Sequence, residues 1–166
     1  MKKNEWQDDS EYMSYVGELL ETPEVQRLAD FRQHYFSNRL EHSIAVSFDS
    51  YRIAKRMHLN ARATARAGLL HDLFYYDWRT TKFDNGTHAW IHPRIAVRNA
   101  KKITNLSAME RDIIIKHMWG ATVAPPRYLE GYIVTMVDKY EATSEVSVPL
   151  FNRYEGLLKK HLKFVK

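Results

Sequence analysis

Ala67-Gly68-Leu69-Leu70-His71-Asp72-Leu73-Phe74 places a histidine and an aspartate side by side within an otherwise apolar run. A carboxylate buried there without a partner would be very costly, so the run demands either a hydrogen-bonded arrangement or a bound cation. Adjacent residues on a straight helix point about 100° apart. Both side chains reach one site only at a helix end or a local distortion. Taken alone, the pair fits two arrangements: metal ligands, or a core histidine beside a capping aspartate.

Upstream, Ala61 to Leu70 is rich in alanine, the best helix former, and Asn60 can cap it. Further upstream, Leu40, Ile44, Phe48 and Tyr51 follow a spacing of four, four and three, which marks one face of a helix. Val46 and Ile53 add apolar surface elsewhere, so that helix is expected to be largely buried. Thr22-Pro23-Glu24 reads as an N-cap, a first-turn proline and a first-turn acid.

Downstream, Tyr75 to Thr87 reads as a loop with Asp84-Asn85-Gly86 as a turn. Ser107-Ala108-Met109-Glu110 is a capping box ahead of three isoleucines, and Gly120 is placed to end that helix before Pro125-Pro126. A helix over about Tyr128 to Ser144 and a last one from near Val148 toward Leu162 complete the pattern. No alternating strand pattern, repeat or linker interrupts it. The expectation is an all-α chain of about seven to nine helices in one domain spanning 1–166.

Composition agrees with a globular domain: 166 residues, 45% hydrophobic and 27% charged. The absence of cysteine excludes disulfides, thiolate metal sites, iron–sulfur clusters and cysteine nucleophiles. Any metal must bind through His, Asp, Glu or water. The first residues carry lysines without a following apolar stretch, and no run approaches a membrane span; a cytoplasmic protein with no membrane partner is expected. Net charge is −5 over residues 1–30 and +10 over residues 31–166, which favours anionic partners. With no four consecutive basic residues, a small anionic substrate is preferred to a nucleic-acid polymer.

The chemistry-bearing set is His42, His71-Asp72, His92, His117 and Asp138, separated by 29, 20, 25 and 21 residues. Those gaps suit one contribution per helix or helix junction, and such ligands can converge inside a helical bundle. Individually each has a plainer role. Asp138 can pair with a lysine or arginine, His117 can be a core histidine, and His92, preceding Pro93, can be an N-cap or lie in the preceding turn. His88 faces the same way as His92 only if that turn is helical, and otherwise reads as surface.

Three stretches together carry a resemblance: Arg39-Leu40-Glu41-His42-Ser43-Ile44-Ala45-Val46, Ala67-Gly68-Leu69-Leu70-His71-Asp72, and Met136-Val137-Asp138-Lys139-Tyr140-Glu141-Ala142. Over about residues 33–144 the chain resembles the HD-domain superfamily of metal-dependent phosphohydrolases. The resemblance implies an all-α core with His42, His71, Asp72 and Asp138 as metal ligands. His92 and His117 resemble two further histidines that hold a second metal in some members. The chain departs from the subgroup whose pair continues Ile-Gly, since here Leu73-Phe74 follows. It also lacks the Gly-Tyr-Pro signature of cyclic-dinucleotide phosphodiesterases.

The expected chemistry is hydrolysis of a small phosphorylated substrate, monoester or diester, with one or two divalent ions (Mn, Fe, Co, Ni or Zn) activating water. Asp72 would combine ligation with handling the water's proton. Lys139, Lys116, Arg39 or Arg79 are candidates to stabilise phosphate charge. Tyr75-Tyr76-Asp77-Trp78-Arg79 is a candidate pocket wall, its aromatics equally suited to the core. A di-iron oxygenase and a non-catalytic nucleotide-sensing module are the alternatives. Oligomeric state stays open.

Overall fold

A computed structural model describes residues 5–32 and 37–144. Among them are seven α-helices: α1 (Ser10–Leu20), α2 (Pro23–Gln26), α3 (Arg39–Arg56), α4 (Ala61–Leu70), α5 (His88–Ile103), α6 (Ala108–Lys116) and α7 (129–144). Two short 3₁₀ turns, Glu5–Gln7 before α1 and Arg27–Asp30 after α2, accompany them, and no strand is present among the described residues. The protein is all-α. The expected helix from Val148 toward Leu162 lies outside the described residues.

Local signals set the helix ends. Thr22, Asn60 and Ser107 each accept a hydrogen bond from the third residue of the following helix, and Asn38 does so for α3. Capping boxes close α3 through Glu41 and α6 through Glu110. The His92-Pro93 expectation is corrected. Helix α5 begins at His88, so Pro93 lies inside it and His92 is neither a cap nor in a preceding turn. Near the N-terminal end the missing proline N–H orphans only the Ala89 carbonyl, which is why the helix survives. Gly120 does adopt φ +97°, but in the turn beyond α6, whose C-cap is His117.

Helix α4 is the centre of the molecule: every residue from Ala63 to Leu70 is buried. It packs most extensively on α3, which Gly68 makes possible. A Cβ at that position would lie 2.9 Å from Ser47 Cα, so only glycine permits the approach. At the same contact, the buried Tyr12 hydroxyl donates to Ser47 Oγ (2.8 Å), which donates to the Ala65 carbonyl (2.7 Å). That chain ties α1, α3 and α4 together. Arg66, passed over among the alanines, is buried and donates to Glu110 (2.6 Å) and Thr104 (2.7 Å), anchoring α4 to α6 and the end of α5. Glu130 of α7 accepts from the Asn60 N–H at 3.0 Å. Leu69, Leu70, Ile113, Ile114 and Val134 fill the space between, each fully buried.

Candidate metal centre

Five elements deliver the six side chains singled out above. His42 sits in the second turn of α3, where the capping box has fixed the helix start. His71 is the C-cap of α4, and Asp72 follows it outside the helix. Ending the helix at Leu70 lets both reach one side, as the adjacency required. His92 lies in α5, His117 caps the C-terminus of α6, and Asp138 lies in α7.

All six converge. His42 Nε2 lies 3.0 Å from Asp138 Oδ1, and His71 Nε2 lies 3.5 Å from the same oxygen. Around Asp72, His71, His92 and His117 place their Nε2 atoms at 3.7, 3.3 and 3.8 Å. The Nε2 atoms of His92 and His117 are 2.8 Å apart. Two donor sets result, each with ligand atoms within 4.8 Å of one another: His42, His71 and Asp138, and His71, Asp72 and His117.

Three of these rings are oriented by backbone. The Nδ1 atoms of His71, His92 and His117 lie 2.7, 2.9 and 2.8 Å from the carbonyls of Gly68, His88 and Ile114. A carbonyl only accepts, so Nδ1 carries the proton and Nε2 of the neutral ring is a bare lone pair. The carbonyls lie three or four residues back, so the helix itself aims each imidazole inward. The same outer hydrogen bond is what orients and strengthens a ligating histidine.

The field around these rings is strongly structured. Burial pushes the His117 pKa down to about 3, and neighbouring His92 and His71 add to the fall. Burial also works against charge on His71, but the Asp72 and Asp138 carboxylates outweigh it and raise its pKa. Burial would raise both aspartates. Instead His71, His92 and His117 hold Asp72 far below the usual carboxylate range, and the hydrogen-bonded His42 together with nearby His71 does the same for Asp138.

These donors fit a divalent cation. His71 Nε2 is buried without a hydrogen bond, although two carboxylates lie within 3.7 Å. His92 and His117 turn bare nitrogens toward each other, an arrangement that repels unless a proton or metal ion is shared. Imidazole nitrogen and carboxylate oxygen suit Mn, Fe, Co, Ni or Zn.

The cluster floors an open cleft of about 300 Å³ whose walls include Trp78, His88, Met118 and Lys139. His88, a weak candidate from sequence, is the first residue of α5 and stacks on His92 with ring centroids 4.3 Å apart. Trp78 stacks on His88 at 5.7 Å, and the Tyr76 hydroxyl is hydrogen-bonded to His88 Nδ1 at 3.1 Å. Burial lowers the His88 pKa to about 4. Only the helical spacing of residues 88 and 92 hinted at this pairing. The aromatic segment divides: Trp78 lines the cleft, whereas Tyr75 packs against the core and donates to the Glu24 carbonyl.

The four candidate cations also divide. Lys139 lines the cleft, donating to the Trp119 carbonyl at 2.9 Å, and burial lowers its pKa. Lys116 instead pairs with Asp112 at 2.7 Å, one turn back on α6. Arg39 is fully buried, with its guanidinium 3.6 Å over the Phe74 ring and donating to the Phe74 and Tyr76 carbonyls. It clamps the loop after His71-Asp72 and is not exposed to a substrate. Arg79 approaches Asp77 at 3.7 Å and leans on Trp78.

No helix among the described residues is long and apolar enough to cross a membrane. No curated protein and no solved structure matches the chain. A family model described as HD domain matches residues 39–143, well over half of the sequence and the whole span from His42 to Asp138. The chain belongs to the HD domain family, whose members are generally hydrolases that bind divalent metals.

Proposed function

We propose that this protein is a metal-dependent phosphohydrolase acting on a small phosphorylated metabolite, as a monoesterase or diesterase. The observation that carries the proposal is the set of imidazoles whose Nδ1 protons are committed to backbone carbonyls while their Nε2 lone pairs converge on Asp72. His42, His71, Asp72 and Asp138 would hold one ion, and His92 and His117 would join Asp72 for a second. When bound, the metal supplies Lewis acidity, polarising a phosphoryl oxygen and making water acidic enough to attack near neutral pH.

The chain's own residues supply the rest. Asp72 faces several imidazoles, and one of its oxygens can take the proton released by the attacking water. Its lowered pKa keeps it ionised, the form that can hold a cation. The Lys139 ammonium, on the cleft wall, offsets charge on the phosphoryl oxygens. His88, neutral at working pH, forms with Trp78 an aromatic wall that excludes water and packs against the non-phosphate part of the substrate.

The two overlapping donor sets also suit paired iron in an oxygenase, which oxygen uptake by iron-loaded protein would reveal. The deciding experiment measures phosphate release from a panel of monoesters and diesters with Mn, Fe, Co, Ni or Zn. Turnover should fall by about a hundredfold or more in H71A and D72A that remain folded by circular dichroism. Full activity in both variants, or no release with any metal, rejects the proposal.

A further inference from the structure

We infer that a second cleft, bounded by α5, α6 and the segment leading into α7, binds a small phosphorylated anion independently of the metal centre. Its volume is about 450 Å³, and it shares no lining residue with the metal cleft. Arg94, Arg111 and Arg127 line it together with Ala108, Ile115 and Tyr128. The arginines come from three parts of the chain, so folding assembled the group.

One acid, Asp112, shares the cleft, and both its oxygens are already engaged. Lys116 Nζ lies 2.7 Å from Oδ1, and the Arg127 backbone N–H donates to Oδ2 at 2.8 Å. The guanidinium groups of Arg111 and Arg127 have no hydrogen bond or ion pair among the described residues. Arg94 is held in place: its guanidinium carbon sits 3.4 Å over the Trp90 ring and it donates to the Trp90 carbonyl. Three exposed arginines lining one hollow, whose single acid among the described residues is already partnered, leave an excess of positive charge that an anion would offset. Guanidinium forks match phosphate oxygens in a bidentate geometry, which selects phosphate over a simple halide.

The size points the same way. A concave cleft of this volume falls in the range of small-ligand pockets. A nucleic-acid polymer would need a basic track, and the chain has no four consecutive basic residues.

The test titrates inorganic pyrophosphate into the full-length, metal-loaded protein by calorimetry at about 0.15 M salt. The same titration is run on D138N alone and combined with R111Q/R127Q or with R62Q, an exposed arginine outside the cleft, with circular dichroism confirming each fold. H42A replaces D138N if that variant does not fold. One-to-one binding in the metal-centre variant that weakens at least about tenfold when R111Q/R127Q is combined with it, and is unchanged when R62Q is, is the expected result. Binding unaffected by R111Q/R127Q, abolished in the metal-centre variant, or reduced equally by R62Q overturns the inference.

Discussion

His92 Nε2 and His117 Nε2 face each other across 2.8 Å, and each ring has already committed its Nδ1 proton to a carbonyl of its own helix. Two acceptors at that distance need a shared cation. If that cation is a second metal ion, H117A should lower the metal-to-protein ratio from near two to near one. Elemental analysis of the purified proteins measures this, and an equal ratio in wild type and variant would count against a binuclear centre. Chelation should also lower the melting temperature, since a ligand at about a hundred times its Kd stabilises the fold by about 2.7 kcal/mol.

Gly68 links packing to the site. A methyl group there meets the Ser47 backbone at 2.9 Å, and the Gly68 carbonyl orients His71. G68A should therefore cost about 1–3 kcal/mol in urea unfolding and weaken metal affinity as well. A stable variant with unchanged metal binding would show that α3 and α4 can separate without moving His71.

Acid should destabilise the metal-free protein from near pH 6.5 downward. His117 titrates near 6.5 when unfolded but near 3 when folded, because burial and two neighbouring imidazoles oppose its charge. Between those values the unfolded chain binds a proton that the native state does not, so stability falls as pH falls. Asp138, depressed by its histidine partners, adds in the same direction at lower pH. His71, whose pKa is raised, works oppositely and loses its contribution as pH rises. Melting temperatures measured with chelator present should drop less steeply between pH 6 and 4 in H117A than in wild type.

Glu110 serves both as partner of the buried Arg66 and as the capping-box acid of α6. Removing it leaves a buried guanidinium without its carboxylate, at a cost of about 3–5 kcal/mol. E110A should lower the urea midpoint accordingly, and E110Q, which keeps an acceptor, should lose less. Equal losses in the two variants would assign the effect to the ion pair, since glutamine also serves in a capping box.

Lys139 and Lys116 provide a paired test of the phosphate-binding assignment. Lys139 lines the metal cleft, whereas Lys116 is engaged by Asp112. K139Q should reduce kcat/KM by about tenfold or more, with K116Q close to wild type in steady-state kinetics. The reverse ranking would remove Lys139 from the proposed machinery.

Local chemistry in the chain determined the all-α class, the helix starts capped by Thr22, Asn60 and Ser107, the loop over 75–87 and the identity of the six clustered side chains. Capping, propensity and apolar spacing act over a few residues, so they are written along the chain. Tertiary structure decided the rest. Arg39, which sequence offered as a phosphate ligand, is enclosed against Phe74, and Lys116 turns to Asp112. Pro93 was tolerated inside α5 instead of preceding it, which brought His88 onto His92. Whether a charged side chain faces a cleft, a carbonyl or another charge depends on which helices pack around it, and that packing is set by contacts between residues far apart in the chain.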